Sequence, residues 1–172
     1  MLEPRIPADA QPPRKGPDRP YGAWSATLRE DSQASVHLVN VYRPDSPFEH
    51  AAEFAGDLLR LLEDTRRKYP ERTELFCGSW MNSLPVFQAF FPPEWRKSLH
   101  RPVWLNGSPG IWGQYIDRCG GFHQAHAEHL RNTGRHALPL IHACCGMDNA
   151  MDHLAAGRWK TMLASANAHP LT

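Results

Sequence analysis

The chain has 172 residues, 41% of them hydrophobic and 22% charged, with a formal net charge of +1. That length buries a core without metal or disulfide staples, and the near-zero charge argues against a nucleic-acid binder. No apolar run approaches the roughly 18 residues a membrane-spanning helix needs.

The first twenty residues, MLEPRIPADAQPPRKGPDRP, hold six of the sixteen prolines and predict a disordered, Pro-rich tail. They lack the apolar stretch of an export signal, so the expected location is cytoplasmic. The expected fold begins near Tyr21 and fills 21–172 as a single α/β domain. YGAWSATLRE predicts a first strand, with Trp24, Ala26 and Leu28 alternating with polar neighbours. SVHLVNVY, 35–42, predicts a second, apolar on both faces as in a strand covered on both sides.

A helix follows. Ser46, Pro47 and Glu49 spell a capping box with proline at the first helical position. Ala51, Ala55, Leu58, Leu59 and Leu62 recur at helical spacing, with Asp57, Arg60, Asp64 and Arg67 opposite and Pro70 as the stop. TELFCGSW, 73–80, predicts a strand running into a turn at Gly78, and SLPVFQAFFPPEWRKSLH one or two short helices broken at Pro92 and Pro93. IWGQYID, 111–117, alternates as a strand would. Gly120 and Gly121 predict a turn, 122–134 a helix ending near Gly134, and HALPLIHACC a last strand. Helix closes the chain, capped by Asp148 and interrupted at Gly157. Strands alternating with helices predict a mostly parallel sheet of about four or five strands with helices packed on it.

The motifs exclude more than they assign. There is no phosphate loop, no dinucleotide fingerprint and no nucleophile elbow, so no nucleotide cofactor is expected. Four cysteines, Cys77, Cys119, Cys144 and Cys145, show no C-x-x-C spacing, and Cys77 and Cys144 read as small buried apolar residues. His123, His126 and His129 advance by about 300° each, drifting over roughly 120° of a helix surface. That pattern suits a polar helix face better than a shared metal, and no metal ligand is assigned.

Position carries the remaining signal, because ligands of α/β sheets gather at the carboxyl ends of strands. Those ends offer Asn40, Ser79, Asn82 and Gln114 as polar groups orienting a substrate, with Trp80 and Trp112 as apolar walls. His37, Asp117 and His142 are the acid/base candidates. The expected function is a small-molecule enzyme acting on a partly apolar substrate. Two alternatives stand beside it. One is a metal- or ligand-binding protein using the histidine-rich segment 123–142. The other is a non-catalytic interaction subunit presenting the aromatic stretch FFPPEW, 90–95, to a partner.

Overall fold

The computed structural model describes residues 16, 18–29, 32–105 and 107–168. Most of the expected Pro-rich tail lies outside them. The sheet has four strands in the order β1 (Trp24–Leu28), β2 (Gln33–Leu38), β3 (Glu74–Ser79) and β4 (Ile141–Gly146). β1 and β2 form an antiparallel hairpin, β2 and β3 run parallel across helix α1 (Ala51–Lys68), and β3 and β4 are antiparallel. The expectation of a mostly parallel sheet is therefore corrected: the sheet is mixed, with one parallel pair in three. Alternation is the cause. β1 buries Trp24 and half-buries Ala26 and Leu28 while Ser25 and Thr27 are exposed, and β4 buries Ala143 and Cys145 while His142 is exposed. Such one-sided strands belong to an antiparallel sheet with a solvated face.

The buried face carries Trp24, Ala34, Val36, Leu75, Cys77, Ala143 and Cys145, all members of the core or fully enclosed. α1 packs there through Phe54, Ala55, Leu58, Leu61 and Leu62. The Trp24 indole N–H donates to the Phe54 carbonyl at 3.0 Å, and the two rings lie 4.5 Å apart. Asp57, expected on the polar side, is buried and pairs with Arg60. The capping-box contacts form, with Ser46 N–H donating to Glu49 Oε2 at 2.7 Å and Phe48 N–H to Ser46 Oγ at 3.3 Å. They shape a turn, and regular helix starts only at Ala51.

Between β3 and β4 come a 3-10 turn (Trp80–Ser83), α2 (Pro85–Gln88), α3 (Pro93–Lys97), a second 3-10 helix (Pro109–Tyr115) and α4 (Gln124–Thr133). α5 (Met147–Ala155) and α6 (Trp159–Ala168) close the chain, separated at Gly157 with φ +65°. The stretch FFPPEW is core: Phe90, Phe91 and Trp95 are all 0% exposed, and the Phe91 and Trp95 rings stack at 3.9 Å. Among the described residues, the exposed large apolar side chains sit elsewhere, at Val103, Trp104, Leu105, Trp112, Ile116 and Phe122.

Residues 111–117, expected as a strand, form a 3-10 helix over Pro109–Tyr115 instead. Side chains three apart eclipse in that geometry, which places buried Ile111 beneath buried Gln114. Asp148 does not cap α5, whose N-cap is Gly146; it pairs with Arg66 of α1 at 3.1 Å. Gly134 does end α4, in the left-handed region at φ +66°. Among the described residues, no helix is long and apolar enough to cross a membrane.

Candidate functional site

The parallel pairing of β2 with β3 stops early. Paired positions are Gln33 with Glu74, Ala34 with Leu75 and Ser35 with Phe76. Beyond them both strand ends line a cavity of about 810 Å³. One wall is Val36 to Asn40 and the loop carrying Arg43, Ser46, Pro47 and Phe48. The opposite wall is Cys77 to Met81 with Leu84, and the roof is the second 3-10 helix, the Asp117 turn, and His123 and His126. The volume falls in the range typical of small-molecule sites, and the location is the carboxyl end of a parallel strand pair.

Six of the nine side chains singled out from sequence line this cavity: His37, Asn40, Ser79, Trp80, Gln114 and Asp117. Their hydrogen bonds separate structural from available groups. Asn40 shapes its own loop, donating from Nδ2 to the Asp45 carbonyl at 2.9 Å and accepting from Tyr42 N–H at 2.9 Å. Ser79 Oγ accepts from Met81 N–H at 3.1 Å, capping the following turn. Gln114 is 2% exposed, and its amide is fully engaged. Nε2 donates to the carbonyls of Ile111 at 3.2 Å and Leu138 at 3.1 Å, and Oε1 accepts from Leu138 N–H at 2.9 Å. Gln114 thus pins the roof to the segment leading into β4. Asp117 Oδ1 accepts from Gly121 N–H at 2.8 Å and closes the turn beneath it. His37 is exposed, with Nε2 3.1 Å from Thr27 Oγ1.

The other three lie outside the cavity lining. Asn82 is fully buried, donating to the carbonyls of Cys77 at 3.0 Å and Ile141 at 2.9 Å while accepting from the Trp95 indole at 3.1 Å. It clamps the ends of β3 and β4 to α3. Trp112 is 51% exposed and packs on Tyr115 and His136. His142 is exposed on the open sheet face, its ring lying over Gly78: a Cβ there would fall 2.7 Å from His142 Cδ2. Trp80 remains a half-buried wall between the core and the cavity.

Sequence reasoning placed little weight on the histidines that enter the site. The His123 and His126 rings stack with centroids 3.8 Å apart. His126 Nδ1 stands 2.8 Å from the Gln114 carbonyl oxygen. A carbonyl only accepts, so this nitrogen carries the proton and Nε2 of the neutral ring keeps its lone pair. His123 has the opposite arrangement, its Nδ1 accepting from His126 N–H at 3.4 Å as the cap of α4, which leaves its proton on Nε2. Burial lowers the pKa of His126, helped by its His123 and His129 neighbours and opposed by the Gln114 carbonyl. His129 itself is exposed. The i, i+3 spacing of His123 and His126 was visible; the backbone carbonyl that fixes the tautomer leaves no residue-type signature.

Arg43, at the end of the second predicted strand, is the other cavity group to which the sequence reading gave no site role. It is half-buried in the cavity wall, and its Nε has no hydrogen-bond partner among the described residues. The nearby charged groups are engaged elsewhere. Arg118 stands 3.6 Å from Glu49, and Asp45 pairs with His50 at 2.9 Å.

The four cysteines are free thiols. Cys77 is buried, and burial raises its pKa to about 12; Cys144 is only half-buried, against the expectation of a buried residue. Among the described residues, no group of three or more His, Cys, Asp or Glu side chains is placed to share a metal ion. No protein-family model, curated protein or solved structure matches this chain.

Proposed function

We propose that the cavity is the active site of a small-molecule enzyme working by acid/base chemistry on a partly apolar substrate, with His126 as the proton-accepting group. One observation carries this reading: the 2.8 Å contact between His126 Nδ1 and the Gln114 carbonyl, made at the wall of a cavity. It fixes the ring in one tautomer with Nε2 as the basic nitrogen, while burial disfavours the charged form. A general base needs such a free and oriented nitrogen. The stacked His123, with its proton on Nε2, supplies a neighbouring donor. Trp80, Phe48, Met81 and Leu84 furnish apolar walls for the substrate body. His37 and Asp117 keep subsidiary acid/base roles at the rim, and no nucleotide cofactor is invoked. Four unpaired thiols suit a reducing, cytoplasmic setting.

Deuterium exchange tests the proposal. Carbon acids bearing an apolar group and an acidic C–H beside a carbonyl are incubated with the protein in D2O and followed by proton NMR. The expected result is catalysed exchange of the acidic C–H, lost in His126→Asn. Asparagine presents Nδ2 where the imidazole presents Nδ1, so it keeps the bond to the Gln114 carbonyl while removing the base. Equal exchange by the folded variant removes His126 from the mechanism.

A second reading, a non-catalytic interaction subunit, draws on the exposed Val103, Trp104, Leu105, Trp112, Ile116 and Phe122 between residues 103 and 122. Exposed apolar side chains gathered in one segment mark partner surfaces. Replacing Trp112 and Leu105 by Ser without any change in a partner-bound elution volume would discard it.

A further inference from the structure

We propose that the substrate of this cavity is a carboxylic acid with an apolar body, its single carboxylate held by Arg43. The inference deepens the acid/base reading above and rests on it. Three observations lead there. First, Arg43 is a permanent cation in the cavity wall, and it forms no ion pair among the described residues. Its Nε–H is buried without an acceptor. That nitrogen is enclosed, so the part of the guanidinium facing the cavity is what meets a ligand, and a planar carboxylate matches such a fork with paired hydrogen bonds.

Second, the ion pairs at the cavity rim do not use Arg43. Arg118 is met by Glu49, and Asp45 by His50. Asp117 lines the same cavity with one carboxylate oxygen on the Gly121 N–H. Its negative charge opposes a dianion, so the vacant cation fits one negative charge rather than two.

Third, the 117–121 turn lies beside the guanidinium. Gly120 holds φ +88°, a left-handed conformation, and a Cβ there would come within 3.8 Å of Arg43 Nη1. The turn 117–121 therefore packs in ordinary van der Waals contact with Arg43. The remaining lining beyond Arg43 is largely apolar, with Trp80, Phe48, Leu84 and Ile116 offering contact to a ring or chain. A carboxylate anchored at Arg43 leaves the body of such an acid in the cavity that the His123–His126 pair also lines.

The test compares an acid with its neutral amide on the unaltered chain. Isotopically labelled protein is titrated with phenylacetate, phenylacetamide and inorganic phosphate, reading the Trp80 indole N–H and the Gly113 and His126 amides. The expected result is saturable perturbation by phenylacetate, with phenylacetamide at least tenfold weaker and phosphate without effect on Trp80. Arg43→Gln should bring the acid down to the affinity of the amide and leave the amide unchanged, while Arg43→Lys keeps part of the preference. An amide that binds as tightly as the acid overturns the carboxylate assignment and leaves the cavity reading standing. A preference that survives Arg43→Gln does the same, and so does phosphate that displaces the acid. If neither aryl compound moves these signals, the acid proposal and the cavity reading fall together. The comparison on unaltered protein holds whether or not the variants fold.

Discussion

Gln114→Leu separates a pinning role from a substrate-orienting role. The side chain is 2% exposed and makes three hydrogen bonds, so its removal strands the Ile111 and Leu138 carbonyls and the Leu138 N–H. An orphaned buried polar group costs about 1–3 kcal/mol. Leu138 is half-buried, so water reaches its groups in part and each falls at the low end. The sum is about 3 kcal/mol, which for a chain of this size lowers Tm by roughly 6–12 °C. Urea unfolding at pH 7.5, followed by tryptophan fluorescence and far-ultraviolet circular dichroism, measures it. A loss below about 1 kcal/mol with an unchanged m-value would refute the pinning argument. Gln114→Glu sharpens the test. An ionised carboxylate at this position faces two carbonyls, whereas the protonated acid donates to one of them. Folding should therefore favour the protonated acid, and this variant alone should gain stability as pH falls toward 5.

Asn82→Leu removes a buried amide serving Cys77, Ile141 and Trp95, and the expected cost is about 3–5 kcal/mol in the same urea assay. A variant within about 1 kcal/mol of the parent would show that the amide is replaceable packing. His153 is buried, with Nε2 2.9 Å from the Ala89 carbonyl oxygen and a pKa lowered chiefly by burial. The unfolded chain then binds the proton that the folded chain refuses, so stability declines as pH drops below about 6.5, the ordinary histidine value. His126 acts in the same direction. His153→Gln keeps a donor for Ala89 and should show a shallower decline between pH 7 and 5; an equal slope would contradict the assignment. Gly134→Ala should cost about 1 kcal/mol through its left-handed backbone, since φ is +66° and no atom lies within 4 Å of the added Cβ. Gly134→Asn should cost less, and equal melting temperatures for all three would show that α4 ends without strain.

The parallel β2–α1–β3 unit was legible in the sequence because its signals are local: a strand, a turn with Ser46 and Glu49, and leucines at helical spacing before Pro70. Strand direction elsewhere was not, although the alternation at Trp24–Leu28 held the clue to a one-faced antiparallel pair. Residues 111–117 misled because a period of two and a period of three coincide over so short a stretch. Only the Gln114 amide, bonded to Leu138 across 24 residues, decides between them. Strand ends likewise directed attention to Asn40, Ser79 and Asp117, all of which border the cavity. The same reasoning passed over Asn82 as a clamp, because the carbonyls it serves belong to two different strands. His126 was visible as one of three spaced histidines, yet its tautomer depends on a backbone oxygen that carries no sequence signal.

The most direct measurement is the long-range proton–nitrogen NMR spectrum of the histidine rings at pH 7.5. It reports which ring nitrogen carries the proton in each. His126 is expected to be neutral, protonated on Nδ1 and bare on Nε2, with the Nδ1 of His123 bare. A His126 ring protonated on Nε2, or carrying both protons at that pH, would contradict that assignment.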